Sequence, residues 1–173
     1  REGSPLVDAV RRTPKALRWA IERCNLPKDH GKAIAEQIIK GEGKCMSDGS
    51  TKDGLGTSAA LPVGIDEEDI YWVQNRTPGN NADIHSYRSE LAGILANVII
   101  VKCIADTHQI QDGAMTIACD NESALWACFG DDDPSAGDPS HDIIKVIRHA
   151  MKNSTIKWTH KHVRGHQDRG QEV

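Results

Sequence analysis

From Lys44 onward the apolar positions come in short runs with one long periodic stretch among them. Lys44 to Ser47 predicts a first strand and Gly54-Leu55-Gly56 a turn. Thr57 to Ile65 predicts a second strand, interrupted by Pro62 in the manner of an edge strand or a bulge. The acidic run Asp66 to Asp69 suits a solvated hairpin tip, and Ile70 to Gln74, rich in β-formers, predicts a third strand. Three strands with short links form an antiparallel meander. Ser86 to about Ala105 then predicts a long helix, with Leu91, Ile94, Leu95, Val98, Val101 and Ile104 as its buried stripe. Met115 to Cys119 reads as a fourth strand, Glu122 to Phe129 as a short helix and 130–140 as a polar loop. Asp142 to Lys152 is a further helix, with Ile143, Ile144, Val146 and Ile147 inward, and Thr155 to Thr159 is a fifth strand. A strand reached through a helical crossover joins its sheet in parallel. The order therefore predicts an α/β domain with a mixed five-stranded sheet, three antiparallel strands followed by two parallel ones, flanked by helices.

Residues 1–43 follow a different pattern. Thr13-Pro14 resembles a cap followed by proline at a first helical position, and Ala16, Leu17, Ala20 and Ile21 follow at helical spacing. A second helix fits Ala33 to Ile39 and ends at Gly41-Glu42-Gly43. The expected division is a helical extension, or a linker from an upstream domain, over 1–43 and the main domain over 44–173. With its first residue Arg1 and last residue Val173, the chain reads as a piece of something longer.

A length of 173 residues suits one domain with a substantial core. Aromatics make up only 4%, so that core has to be aliphatic. The net charge of −4 means that affinity for nucleic acid needs a local basic patch. One candidate is the segment holding Lys157, Lys161, Arg164 and Arg169, interleaved with His160, His162 and His166, although a solvated strand end has the same composition. His160 and His162 share a strand face, but no third zinc ligand accompanies them. The five cysteines (Cys24, Cys45, Cys103, Cys119, Cys128) form no C-x-x-C pair and lie in apolar segments. That pattern suits reduced core residues in a reducing, intracellular compartment. No apolar run approaches membrane-spanning length.

Three carboxylates carry the candidate chemistry. Asp48 and Asp120 end apolar runs that read as buried strands, and Glu90 sits in the first turns of the long helix. Buried carboxylates are costly unless a cation neutralises them, and hard divalent ions prefer oxygen ligands. If the fourth strand pairs in parallel beside the first, Asp48 and Asp120 share the C-terminal strand edge where open α/β sheets place their sites. Taken singly, Asp48 suits a turn, Asp120 a helix cap and Glu90 a solvated first-turn residue. Their joint placement favours a metal site. Asp131-Asp132-Asp133 lacks the spacing of a calcium loop.

At these residues the chain resembles the ribonuclease H family, in particular the domains that accompany retroelement reverse transcriptases. The matching segments are Ser47-Asp48-Gly49-Ser50, Tyr87 to Ile94, Cys119 to Leu125 and His162-Val163-Arg164-Gly165-His166-Gln167-Asp168. The resemblance implies hydrolysis of the RNA strand of RNA–DNA hybrids with magnesium or manganese, two ions, leaving a 3′-hydroxyl and a 5′-phosphate. It implies Asp48, Glu90 and Asp120 as metal ligands and His166 as the residue assisting proton transfer or product release. Ser50, Asn81, Arg88, Asn121, Lys161 and Arg164 are the expected nucleic-acid contacts, some of them able to reach a 2′-hydroxyl. An upstream reverse-transcriptase domain of the same polyprotein is the expected partner, with no membrane. The family's fourth carboxylate and last helix have no match, since Asp168 follows His166 too closely. A decayed hybrid-binding domain and an integrase- or exonuclease-type nuclease of the same fold are the alternatives.

Overall fold

The computed structural model describes residues 5–49, 55–60, 64–77, 86–131, 137–138 and 140–164. Its elements are α1 (Pro5–Arg11), a 3-10 helix (Lys15–Ile21), β1 (Arg23–Asn25), α2 (Lys32–Ile39), β2 (Gly43–Gly49), β3 (Leu55–Ala60) and β4 (Trp72–Arg76). There follow α3 (Ser86–Thr107), β5 (Ala114–Cys119), α4 (Glu122–Phe129), α5 (His141–Lys152) and β6 (Lys157–His162). One sheet has the order β1-β4-β3-β2-β5-β6. The β2–β3–β4 meander is antiparallel, and β5 and β6 join in parallel after their helical crossovers.

The sheet has six strands where five were expected. The additional one, β1, pairs antiparallel with β4, Asn25 opposite Trp72 and Arg23 opposite Gln74. Its Arg-Cys-Asn sequence is too short and too polar to signal a strand, so the edge of β4 makes it one. The residues after Pro14 form a 3-10 rather than an α-helix, and Pro5–Arg11 adds a helical turn pair whose Leu6 and Ala9 are buried. Leu6, Ala20, Ile21, Ile34 and Ile38 all join the same core cluster as the sheet residues. Acidic Asp66, Glu67 and Glu68 are exposed, as expected, on a short 3-10 turn.

Helix α3 departs most from its predicted one-sided stripe. Every residue from Arg88 to Val101 is buried, so the helix is enclosed between the sheet and the outer helices. Polar side chains from three strands reach its first turns. Ser47 Oγ donates to the Glu90 carbonyl at 3.0 Å and Ser58 Oγ to the Gly93 carbonyl at 2.5 Å. Asn75 Nδ2 donates to the carbonyls of Ala92 (3.1 Å) and Ala20 (2.8 Å), tying the 3-10 helix to α3. Further along, buried Tyr71 donates to Asn97 Oδ1 at 2.6 Å, and Asn97 Nδ2 donates to the Met46 carbonyl at 2.9 Å. Buried polar atoms require such partners, and an unmet one costs about 1–3 kcal/mol.

Gly93 is what allows this approach. A Cβ there would collide with Ser47 Oγ and stand 2.9 Å from the Thr57 carbonyl oxygen. Alanine is favoured over glycine in a helix by about 1 kcal/mol, whereas overpacking costs about 1–3 kcal/mol. Gly93→Ala is therefore expected to destabilise the fold on balance, seen as a lower urea midpoint at unchanged m-value. Adding Ser47→Ala, which removes one of the two colliding atoms, should recover part of the loss in a double-mutant cycle. An increase in stability from Gly93→Ala alone would contradict the close approach.

Candidate metal centre

The parallel register of β2 and β5 pairs Ser47 with Cys119. The next residue on each strand is a carboxylate, so Asp48 and Asp120 leave neighbouring strands, spaced about 4.8 Å apart, at the same C-terminal edge. Both are half-buried. Alternation along β2 turns Cys45 and Ser47 toward α3, and Asp48 follows them at the end of the strand. There Asp48 borders a shallow depression of about 330 Å³ with Met46, Thr57, Trp72 and Gln74. Thr57 Oγ1 donates to the Asp48 carbonyl at 2.8 Å, holding the end of the strand.

Glu90 reaches this edge from α3 and is only 2% exposed. The Cys119 thiol donates to its Oε1 at 3.3 Å. Burial, followed by the charge of Glu90, pushes the Cys119 thiol far above its ordinary value; it is a neutral donor at physiological pH. Ligand atoms of Glu90, Cys119 and Asp120 lie within 4.8 Å of one another, the set among the described residues that can hold a metal ion. Two of its three donors are carboxylate oxygens, with Asp48 on the adjoining strand, and this chemistry fits a hard divalent cation. The structure thus brings Glu90 and Asp120 directly together and places Asp48 beside Asp120 in register, outside the tight group.

The remaining expected residues divide. Asn121 is the N-cap of α4, its side-chain oxygen accepting from the Ala124 N–H at 2.9 Å. Arg88 is 6% exposed, and its guanidinium meets the largely exposed Asp142 on α5 at 3.3 Å. Lys161 and Arg164 are exposed, and Lys161 lies beside Ala118 in the β5–β6 register. His162 pairs with Cys119 in that register, and its Nε2 donates to the Asp120 carbonyl at 3.2 Å. His160 instead packs against Phe129, ring centroids 4.6 Å apart. Ser50, Asn81 and His166 lie outside the described residues. All five cysteines are free, four of them buried.

Sequence reasoning treated Cys119 as core filling and did not single out Ser47, Ser58 or Asn75. A signal was available: small polar residues at inward strand positions, together with a glycine inside a helix, indicate a close backbone approach. Nothing in the linear order says which helix carbonyls they meet.

No family model matches the sequence, and no curated protein is similar enough to count as a match. Among the described residues no helix is long and apolar enough to cross a membrane.

The Arg88–Asp142 contact ties the start of α3 to the start of α5. Partial burial pushes the Asp142 carboxyl up, but the hydrogen bond and charge of Arg88 outweigh this and hold it below its usual 3.8. A carboxylate with a depressed folded-state pKa adds stability above its unfolded pKa and loses it as pH falls through the folded one. Because the Asp142 side chain is 69% exposed, solvent screening keeps the contribution below about 1 kcal/mol. Asp142→Asn should lower stability slightly at pH 7. That difference should shrink in high salt and vanish once the pH falls below Asp142's lowered value. A difference that stays unchanged however far the pH is lowered would show that the contact does not depend on the charge.

Proposed function

We propose that this chain is a metal-dependent endonuclease of the ribonuclease H type, hydrolysing the RNA strand of RNA–DNA hybrids as part of an intracellular reverse-transcriptase polyprotein. The observation that carries this is the Ser47–Cys119 register, which sets Asp48 beside Asp120, with buried Glu90 arriving from α3 at the same edge. The topology that produces it, an antiparallel meander followed by two parallel strands, is compatible with that fold.

Asp48, Glu90 and Asp120 would hold magnesium or manganese. Bound there, the ions supply Lewis-acid stabilisation of phosphoryl oxygens and an activated water. Each residue's task follows from its surroundings. Glu90 is held by Cys119 on its side chain and by Ser47 on its carbonyl, so its oxygen is fixed before any ligand arrives. His162 steadies the turn at Asp120 through the main-chain carbonyl. Exposed Lys161 and Arg164 lie near the C-terminal end of β6 and just past it, where they suit a phosphate backbone passing the carboxylate edge. Binding by such contacts is sequence-independent and salt-sensitive, as suits an enzyme that recognises hybrid shape. His166 is assigned proton transfer through the family resemblance.

Incubating a hybrid labelled on its RNA strand with magnesium, manganese or EDTA tests this. Cleavage should require the metal and leave duplex DNA intact. Asp48→Asn, Glu90→Gln and Asp120→Asn should each slow it by at least about 100-fold, since even outer-shell partners of a metal site are worth roughly 10–100-fold. Asp112→Asn, at an exposed position after α3, should leave it unchanged. Lys161→Ala should reduce the salt dependence of hybrid binding by about one unit of slope. EDTA-resistant cleavage would sink the mechanism. Equal cleavage of duplex DNA would point to another nuclease of this fold, and hybrid binding without turnover to a binding domain.

A further inference from the structure

Cys119 distinguishes this carboxylate edge from one built of oxygens alone. Its side chain is fully buried on the α3 face of β5, with Sγ 3.3 Å from Glu90 Oε1. The Asp120 carboxylate follows in sequence and completes the group of three ligand atoms within 4.8 Å. In a tetrahedral zinc site, bonds of about 2.3 Å to sulfur and 2.0–2.2 Å to oxygen put the two donor atoms roughly 3.5 Å apart. The Cys119–Glu90 pair, joined by the thiol's hydrogen bond, already stands near that separation. None of Cys24, Cys45, Cys103 and Cys128 belongs to such a donor group among the described residues.

Ligand hardness then separates two kinds of ion. Magnesium and manganese select carboxylate and water oxygens, whereas a thiolate selects softer ions such as zinc. We infer that a zinc-like divalent ion binds this edge through Cys119 Sγ together with Glu90 and Asp120, and competes there with the hard cation of the nuclease site. The inference rests on Glu90 and Asp120 being metal ligands, as proposed above. On binding, the Cys119 S–H bond breaks and a sulfur lone pair forms the metal–sulfur bond. The proton passes by way of the Glu90 oxygen it already faces to water, and no electron is transferred. The hard ion leaves the thiol protonated, as a hydrogen-bond donor to Glu90. The same three side chains thus accept either class of ion, and the softer one holds Glu90 and Asp120 in a sulfur-containing shell unsuited to phosphoryl transfer.

Cobalt(II), which reports sulfur ligation by a thiolate-to-metal charge-transfer band in the near ultraviolet, is the probe. Titration of the full chain should raise that band to one equivalent. Cys119→Ser should abolish it, and Glu90→Gln should weaken cobalt binding at least about tenfold, the lower bound for partners of a metal site. Cys24→Ser, which changes the least buried thiol, should leave the band in place. Excess magnesium should displace cobalt and lower the band. Circular dichroism and manganese binding read by electron paramagnetic resonance check that Cys119→Ser is folded and retains its oxygen ligands; Cys119→Ala serves if it is not. Absence of the band in the parent chain at saturating cobalt, or its survival in folded Cys119→Ser or Cys119→Ala, overturns the inference. Hybrid cleavage is measured separately. A band lost with Cys119 in a chain that cleaves nothing supports the metal site and counts against the nuclease, whereas magnesium-dependent cleavage without a band does the reverse.

Discussion

The close seating of α3 on the sheet is the constraint on which the rest depends. An enclosed helix has to satisfy its surroundings on every side, and this one meets the strands through hydroxyl and amide donors as well as aliphatic packing. Ser47, Ser58 and Asn75 point from three neighbouring strands at the carbonyls of Glu90, Gly93 and Ala92. Those carbonyls lie within one turn of the helix, so together they define its depth, rotation and axial position. Apolar contacts, being non-directional, would tolerate a slide or a roll that these hydrogen bonds do not. Gly93, where a side chain would strike Ser47 and the Thr57 carbonyl, lets the helix come near enough for the bonds to form.

The geometry of the carboxylate edge follows from that seating. Glu90 lies in the turn so fixed, and its side chain can reach Cys119 and Asp120 only at this helix rotation. The β2–β5 register supplies the other half, since a shift of one residue would turn Asp120 and Cys119 to opposite faces. The first forty residues contribute indirectly. The 3-10 helix is joined to the sheet by Asn75 through the Ala20 carbonyl, and α1 lies on α3 with Leu6 in the core. An enclosed helix of Leu, Ile, Val and Ala needs such cover on its outer side, because among 173 residues few aromatics are available to provide it.

Electrostatics distinguishes groups that look alike in sequence. Arg88 and Glu90 are two positions apart on one helix, yet each turns to a different partner. The arginine holds Asp142 on α5, which remains largely exposed, while the glutamate accepts from a thiol in a nearly dry setting. His160 and His162, also two apart, divide in a similar way, one against an aromatic ring and one on the Asp120 carbonyl.

The sequence by itself determined the meander, the long crossover helix, the two later strands and the acidic residue ending each of two strands. These are set by short-range periodicity, by β-branched and aromatic content and by turn residues, all of which act over a few positions. It also set the direction of β5, parallel to β2, because a helical crossover brings the chain back in the same sense; which strand β5 would lie beside was not in it. Only the tertiary structure decided the rest. β1 is a strand because β4 offers an edge, not because Arg-Cys-Asn favours one. The Lys15–Ile21 segment is a 3-10 helix where it meets Asn75 and α3. Asn121 became a cap and Arg88 an internal anchor, since a polar side chain goes to whichever donor or acceptor folding brings nearest. Cys119 entered the carboxylate group by the same rule: its contact with Glu90 spans 29 positions of the chain, and no local pattern of residues encodes a distance across the sheet.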